Sequence, residues 1–303
     1  MLSPTNEGQD ALPLTSVRKI EADGVQVFYR AAGDPGAPVV LLLHGFPTSS
    51  FMFRELIPRL ADHYRVIAPD MPGFGFTEVP VERKYTYSFD ALAGTIEAFM
   101  EALTIKRYAL YVFDYGAPTG FRLAIAHPER VAAIISQNGN AYEEGLGDAW
   151  GPIRKYWAMP TPENREIIRQ NVLTLEGTRW QYTHGVAIPE SIGPESYTLD
   201  SALMERPGNI RDSAGFIFGL CLQREALSEV SGISSQIEAA FACDLGQKRS
   251  FLRASRRGGI SERPTEGAGP VPGYRTFCYR DTRFGNRCGD ERISRNERHI
   301  APG

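Results

Sequence analysis

Two short segments of the 303-residue sequence carry the side chains best suited to covalent chemistry. Residues 44–50 (HGFPTSS) directly follow an apolar run, and residues 112–117 (VFDYGA) place Asp114 at a second strand-to-helix junction. A carboxylate nucleophile suits attack on a saturated carbon that bears a leaving group, whereas a serine at this position would indicate acyl transfer. Asp114 is therefore a candidate nucleophile, and in that role it would form an alkyl–enzyme ester that water must then cleave.

A nucleophile of this kind has to be presented on a tight bend, where strand and helix backbones come close together. Small residues must follow it, and Gly116 and Ala117 meet that need. Val112 is bulkier than the Gly or Ala that usually precedes such a bend. The helix beginning at Gly116 places its positive dipole end near Asp114, which favours the ionised carboxylate. The alternative role of Asp114 is a helix N-cap with no catalytic duty, and residues 44–50 upstream make this alternative the weaker one.

Strands and helices alternate along the front of the chain, which predicts a mostly parallel sheet with helices on both faces. Residues 25–30 alternate as an edge strand should, and residues 38–43 form the continuous apolar run of a strand buried on both faces. Further strands are predicted over 64–68, 108–113 and 131–136, and helices over 51–61, 89–103 and 116–126.

From residue 138 to about residue 207 the pattern loosens into aromatic-rich helical pieces with Pro and Gly breaks. An insertion after a strand would cover the carboxyl edge of the sheet, where open α/β sheets bind ligands. The sequence therefore divides into a flexible N-terminus (1–16), an α/β core (17–137), a helical cap (138–210) and an unassigned tail (211–303).

Composition limits the classes of function. Hydrophobic content of 42%, charged content of 23% and a net charge of −3 are ordinary for a soluble globular protein and give no reason to expect nucleic-acid or membrane binding. No apolar run approaches the roughly 18 residues that span a bilayer, and no export signal is visible, so we expect a cytoplasmic location. The four cysteines show no CxxC spacing and have no histidine nearby, so no metal or other cofactor is expected. A small-molecule substrate is the expected partner, and the sequence does not predict an oligomeric state.

The segments HGFPTSS and FDYGAPTG, followed by FRLA at 121–124 and HPER at 127–130, resemble the α/β-hydrolase superfamily over residues 17–210. The closest groups are the epoxide hydrolases and haloalkane dehalogenases, which share an aspartate nucleophile. The resemblance implies that Asp114 is the nucleophile and that the backbone N–H groups of Phe46 and Tyr115 form the oxyanion hole, which stabilises the tetrahedral intermediate of ester hydrolysis. It also implies that His44 shapes its turn and is not the base.

The two families differ in the side chains that stabilise the leaving group of the substrate. Dehalogenases commonly hold the halide with a Trp after the nucleophile and an Asn in the HGN position, where this chain has Tyr115 and Phe46. Epoxide hydrolases use HGFP and cap tyrosines that donate a proton to the opening epoxide oxygen. The resemblance favours an epoxide-hydrolase-like enzyme, with a haloalkane-dehalogenase-like enzyme or a non-catalytic binding protein as alternatives. The cap aromatics that are candidates for substrate contact are Tyr142, Trp150, Tyr156, Trp157 and Tyr182, although packing within the cap is the commoner role of each such side chain.

A hydrolase of this class also needs a base histidine and a carboxylate that orients it, and neither is found in residues 211–303. The late histidine, His299, has no strand before it, and Asp244 and Asp281 lack the Gly-x-x-Asp setting of the family's acid. His299 completing an unusual triad is a minor alternative.

A shifted reading frame accounts for the missing half of the site. With permitted synonymous codons, residues 240–251 read one base later give PLLAIWGKNDPF, which contains the acid turn. The same offset turns residues 274–283 into DTGHFAIETH, which contains the Gly-His-Phe expected around the base. We therefore expect a poorly ordered tail, C-terminal strands of the sheet that are missing or disordered, and impaired hydrolase activity.

Overall fold

The computed structural model describes residues 13–139 and 151–206, together with the backbone of residues 277–278. The strands are β1 (Ser16–Ala22), β2 (Val25–Ala32), β3 (Val39–Leu43), β4 (Arg65–Pro69), β5 (Tyr108–Phe113), β6 (Val131–Gln137) and β7 (Phe277–Cys278). The helices are α1 (Leu56–Leu60), α2 (Phe89–Ala102), α3 (Gly116–Ala126), α4 (Gly151–Ala158), α5 (Pro162–Val172), α6 (Leu175–Thr183) and α7 (Pro194–Met204).

The seven strands form one sheet in the order β1-β2-β4-β3-β5-β6-β7. Strands β4, β3, β5 and β6 run parallel to one another at its centre, and β1, β2 and β7 pair antiparallel with their neighbours. This is the α/β-hydrolase arrangement of a mostly parallel sheet with helices, as the sequence predicted. Because β3 and β5 are adjacent and parallel, with Leu43 opposite Val112, the segments that follow them leave the sheet side by side.

The strand β2 is not at the edge of the sheet, so the prediction of an edge strand at residues 25–30 was wrong. Residues 16–22 (SVRKIEA) form β1, which pairs with β2 along its whole length and lies outside it. The two strands are joined at Asp23 and Gly24, which have φ angles of 56° and 71° and fit the tight turn of a two-residue hairpin. The charged side chains of β1 hide the pattern that would have marked it as a strand.

The sheet also gains a two-residue strand that the sequence did not predict. Residues 277–278 form β7, which pairs antiparallel with Ile135 and Ser136 of β6. The remainder of the tail lies outside the described residues, so the expectation that it is poorly ordered stays a prediction. The same holds for residues 1–12 of the N-terminus.

Core side chains occupy both faces of the central strand β3, as its continuous apolar run predicted. Leu41 and Leu43 belong to a large cluster that includes α2, α3 and the inner side of β2. Val40 and Leu42 face the other way and pack with Ile57 of α1. A strand buried on both sides is held firmly in place, so the turn that follows it starts from a rigid position.

The helices α4 to α7 lie between β6 and β7 in the chain, and each packs against the next. Tyr156 of α4, Ile168 of α5 and Met204 of α7 extend the large core cluster, which ties these helices to the rest of the molecule. Whether they act as a separate cap over residues 138–210 stays a prediction. Within the described residues, no helix combines the length and apolar character needed to cross a bilayer.

Candidate functional site

The carboxyl ends of β3 and β5 bring the two predicted chemical segments into direct contact. The backbone of Gly45 approaches Asp114 so closely that a Cβ at Gly45 would lie 2.3 Å from the Cβ of Asp114 and 2.6 Å from its Oδ1. Only a glycine fits at this approach without displacement of its neighbour. The HGFP segment therefore needs a glycine at position 45, because the side chain of Asp114 occupies the space that a Cβ would fill.

Asp114 occupies the bend between β5 and α3 with a φ angle of 47°. This left-handed conformation is uncommon for a residue with a side chain and carries backbone strain, which concentrates at functional sites. The Oδ1 atom of Asp114 accepts a hydrogen bond of 2.7 Å from the Phe46 N–H, and the Tyr115 N–H donates to the same carboxyl group. The structure therefore brings together Asp114, Phe46 and Tyr115, the three residues that the resemblance assigned to this centre.

Burial raises the pKa of Asp114 from 3.8 to about 6, and the two backbone N–H donors oppose that rise. Although desolvation disfavours the charged form, each N–H favours it. The carboxyl group is therefore still ionised at neutral pH, and it is less stabilised by water than an exposed aspartate. Both properties suit a nucleophile.

Close packing on the helix side of the bend explains two more small residues. A Cβ on Gly116 would lie 2.4 Å from the carbonyl oxygen of Leu43, so α3 begins in contact with the backbone of β3. A Cβ on Gly120 would lie 2.5 Å from Cγ1 of Val112. Val112 is bulkier than the usual small residue before the bend. Gly120, one turn into α3, leaves the space that its side chain needs.

Aromatic rings surround Tyr115, the residue that follows Asp114. The ring of Tyr115 lies 5.9 Å from that of Phe46, 6.1 Å from that of Phe74 and 5.4 Å from that of Phe89, measured between centroids. Its side chain is buried, and burial followed by the charge of Asp114 raises the pKa of the phenol well above 10. The phenol of Tyr115 therefore stays neutral and packs with the surrounding rings.

His44 holds the turn together, as the resemblance implied. It is fully buried, its Nε2 accepts from the Met71 N–H at 3.0 Å, and its Nδ1 lies 3.0 Å from the carbonyl oxygen of Gly45. These two contacts fix the tautomer with the proton on Nδ1, and burial lowers the pKa of the ring. With both nitrogens engaged, His44 has no free position from which to activate water.

Of the other histidines in the described residues, His63 is exposed at the surface and two are engaged away from Asp114. His127 pairs with Glu97 and Glu129 near the end of α3, and His184 stacks on Trp180 with ring centroids 4.4 Å apart. His299, Asp244 and Asp281 lie outside the described residues. Within residues 13–139 and 151–206, the polar contacts of Asp114 are with backbone N–H groups and none is with a histidine.

The aromatic residues proposed for substrate contact have different environments. Tyr156 is 1% exposed and belongs to the large core cluster, against which Trp157 also packs. The hydroxyl of Tyr182 donates to Asp200 at 2.5 Å. Tyr142 and Trp150 lie outside the described residues. Tyr156 therefore packs in the core, whereas Tyr182 makes a polar contact between helices α6 and α7.

Two buried carboxyl groups near the site were missed by the sequence reasoning. Asp70 follows β4, is fully buried, and accepts from the N–H groups of Ser50 at 2.7 Å and Phe76 at 2.8 Å. Asp200 of α7 is 2% exposed. The position of Asp70 directly after a buried strand could have indicated it, whereas Asp200 is an isolated acid in a helix and had no such signal.

A parallel-centred sheet with an aspartate on the bend after β5 and an N–H donor after β3 defines an α/β-hydrolase. Residues 38–174 match the family model described as the alpha/beta hydrolase fold. Among solved structures, the epoxide hydrolase CorEH is similar with a TM-score of 0.58 and 22% identity, covering 72% of this chain and 77% of that one. The haloalkane dehalogenase DatA of Agrobacterium tumefaciens C58 is similar with a TM-score of 0.58 and 22% identity, covering 74% of each chain.

Curated relatives agree with this assignment. The uncharacterized hydrolase YNR064C of Saccharomyces cerevisiae is 50% identical over 190 residues, which are 61% of this chain and 64% of that protein. Epoxide hydrolase 4 of Homo sapiens is 34% identical over 120 residues, which are 40% of this chain and 33% of that protein. The chain thus spans less than two thirds of the length of these relatives. The chain has the α/β-hydrolase fold and matches that family over residues 38–174, as its motifs indicated.

Proposed function

We propose that the residues around Asp114 derive from a hydrolase that acts on small organic substrates through an alkyl–enzyme ester, with epoxides as the favoured substrate class and haloalkanes as the second. The observation that carries this proposal is the 2.7 Å hydrogen bond from the Phe46 N–H to Oδ1 of Asp114. It places one carboxylate oxygen in the position that an ester carbonyl oxygen would later occupy. Relatives named as epoxide hydrolases support the substrate class.

The proposed first step is attack by the second carboxylate oxygen on a ring carbon of the epoxide. A carbon–oxygen bond to Asp114 forms, the ring carbon–oxygen bond breaks, and the departing oxygen keeps the electron pair and takes up a proton. Oδ1 becomes the carbonyl oxygen of the ester while it remains bound to the Phe46 N–H. Subsequent attack of water on the ester carbon would place negative charge on Oδ1, where the N–H groups of Phe46 and Tyr115 stabilise it.

The leaving group favours an epoxide over a haloalkane. A departing halide is stabilised by N–H donors such as an indole or an amide, and the side chains of Phe46 and Tyr115 next to the nucleophile provide neither. The half-buried ring of Phe46, backed by the buried rings of Phe74, Phe89 and Tyr115, would provide the apolar surface for the carbon skeleton of a substrate. We propose that helices α4 to α7 form the cap that closes over this surface.

We further propose that hydrolysis of the ester is impaired in this chain. His44 has both ring nitrogens engaged, and Asp114 makes no contact with a histidine within the described residues. The family-model match ends at residue 174 and does not reach the tail, and the base and acid segments recovered from the tail by a one-base offset are the basis for this proposal. A noncovalent binding protein remains the alternative from a different class.

Mass spectrometry of the purified chain with styrene oxide tests this proposal. We expect one adduct per chain, mapped to the peptide that contains Asp114, and no multiple turnover to the diol. Asp114→Asn should remove the adduct, and Asp62→Asn, which changes an exposed aspartate, should leave it unchanged. Sustained diol production would contradict the proposed impairment. Reversible binding of the epoxide without an adduct would instead favour the noncovalent binding protein.

A further inference from the structure

A buried carboxyl group joins three separate segments next to the candidate site. Asp200 of α7 is 2% exposed, and the hydroxyl of Tyr182 from α6 donates to its Oδ2 at 2.5 Å. The hydroxyl of Ser49, from the segment after β3, is a neighbour of the Asp200 carboxyl group and favours its ionised form. Asp200 therefore connects two helices of the proposed cap to the segment that begins with His44.

The Ser49 end of this connection is close in the chain to the oxyanion-hole donor. The Oγ atom of Ser49 accepts from the Phe51 N–H at 3.3 Å and caps the short 3₁₀ helix Ser50–Phe53. Ser49 lies three residues after Phe46, whose N–H binds Asp114, and the Thr48 N–H bonds back to the Gly45 carbonyl at 3.0 Å. Ser49 and the Phe46 N–H therefore belong to one short segment that a hydrogen-bonded turn holds together.

A second carboxyl group faces Asp200 from the core. Asp70 is fully buried and is held by the N–H groups of Ser50 and Phe76. Burial is the largest cause that raises the pKa of Asp200 to about 7, and the negative charge of Asp70 raises the pKa further. The hydroxyls of Tyr182 and Ser49 and the guanidinium of Arg54 lower the pKa in part. The nearby cation Arg54 makes no salt bridge with Asp200. The neutral form of Asp200 therefore fits this site better than the ionised form.

We propose that Asp200 is a positioning residue, which ties α6 and α7 to the turn after β3 and thereby holds the Phe46 N–H in place over Asp114. The catalytic consequence rests on the proposed function, whereas the tie itself rests on the contacts of Asp200 with Tyr182 and Ser49. The neutral carboxyl group of Asp200 stabilises the packing of α6 and α7 against the turn after β3, and its ionisation next to Asp70 destabilises that packing.

The pH window follows from linkage. When α6 and α7 separate from the core, Asp200 enters water and its pKa falls toward the ordinary value of about 4. Between about pH 4 and pH 7, opening then releases a proton, so the opening equilibrium constant rises about tenfold for each pH unit. Above pH 7 the carboxyl group is ionised in both forms, and the constant levels off.

Hydrogen exchange of the full-length chain measures this opening directly. After correction for intrinsic exchange, opening of residues 175–204 in the wild type should rise between pH 5 and pH 7 more steeply, by about tenfold per pH unit, than in Asp200→Asn. Asp200→Ala should open readily at both pH values, because the hydroxyl of Tyr182 loses its acceptor. Glu190→Gln, which changes an exposed acid between α6 and α7, should behave as the wild type.

Equal pH dependence in the wild type and Asp200→Asn would overturn the proposal, and so would wild-type exchange in Asp200→Ala. The rate at which styrene oxide modifies Asp114 gives the second readout. We expect a several-fold lower rate in Asp200→Ala and a rate within twofold of wild type in Asp200→Asn at pH 7. If the wild type is not modified at all, the proposed function fails, while the exchange result still decides the role of Asp200.

Discussion

At the scale of single residues, Asp114 combines two environments that ordinarily oppose each other. Burial destabilises its charge, and two backbone N–H groups stabilise the same charge from fixed positions. Because those donors belong to the backbone, they need no rearrangement when negative charge later develops on the ester oxygen. The same N–H groups can therefore serve both the resting carboxylate and the proposed tetrahedral intermediate.

The pH dependence of Asp114 modification follows from its pKa of about 6. The ionised carboxylate is the reactive form, so the rate of modification by styrene oxide should be constant above pH 7, half-maximal near pH 6, and about tenfold lower for each further pH unit below. Initial rates of adduct formation by mass spectrometry between pH 4.5 and pH 8 measure this. An apparent pKa near 4 would show that the carboxyl group is not desolvated.

At the scale of elements, the bend after β5 depends on backbone contact between α3 and β3. Gly116→Ala would place a Cβ 2.4 Å from the Leu43 carbonyl oxygen, and we expect it to lower the free energy of unfolding by about 2 kcal/mol or more. Gly94→Ala is the control, because Gly94 is exposed within α2 and has no atom within 4 Å of the added Cβ. That change should stabilise the protein by about 0.5–1 kcal/mol. Urea denaturation of both variants provides the comparison, and equal losses would refute the steric explanation.

The pairing of Val112 with Gly120 provides a second test at this scale. Gly120→Ala should be destabilising because its Cβ would lie 2.5 Å from Cγ1 of Val112. In a Val112→Ala background that contact is absent, so the cost of Gly120→Ala should fall by about 1 kcal/mol. A double-mutant cycle measured by urea unfolding gives the coupling energy. Additive effects would mean that Leu110, at 2.9 Å from the same position, sets the constraint instead.

At the scale of the whole molecule, two desolvated carboxyl groups with raised pKa values make stability depend on pH. Asp114 and Asp200 have pKa values of about 6 and about 7 in the folded chain, so the folded state binds more protons than the unfolded state above about pH 4. Each group then lowers the free energy of unfolding by about 1.4 kcal/mol per pH unit until its folded pKa is reached. His44, whose pKa is lowered by burial, acts in the opposite direction below about pH 6.5.

Comparison of the wild type with Asp200→Asn isolates the contribution of Asp200 to the pH dependence of the free energy of unfolding. Urea unfolding at pH 5 and pH 7 should show that the wild type loses more stability over this interval than the variant, by an amount on the order of 2 kcal/mol. The contributions of His44 and Asp114 are present in both proteins and cancel. An identical change in the two proteins would mean that Asp200 titrates as an ordinary exposed acid.

The proposed frame shift is also a statement about the whole molecule. A gene whose codons after residue 210 are read one base later should produce a chain that turns over styrene oxide repeatedly and unfolds at a higher urea concentration than this one. Both gains would come from the restored base and acid and from the final strands of the sheet. Diol production and urea midpoints of the two chains measure them. Equal activity of the two chains would contradict the frame-shift explanation.

The sequence alone determined the features that depend on local pattern. The double-sided burial of β3, the bend at Asp114 and the small residues after it are all encoded within a few neighbouring positions, and the motifs at residues 44–50 and 112–117 add their order along the chain. Local pattern failed at β1, because the charged strand Ser16–Ala22 is stabilised by pairing with β2 rather than by burial of an apolar face.

Tertiary structure alone decided the contacts between distant segments. It placed the Phe46 N–H on Asp114, set Gly120 against Val112, and enclosed Asp200 with Tyr182 and Ser49. These contacts depend on strand order and on how the helices pack, neither of which has a signature within a short window of residues. Burial, which sets the pKa values of Asp114 and Asp200, arises only when those segments meet and exclude water.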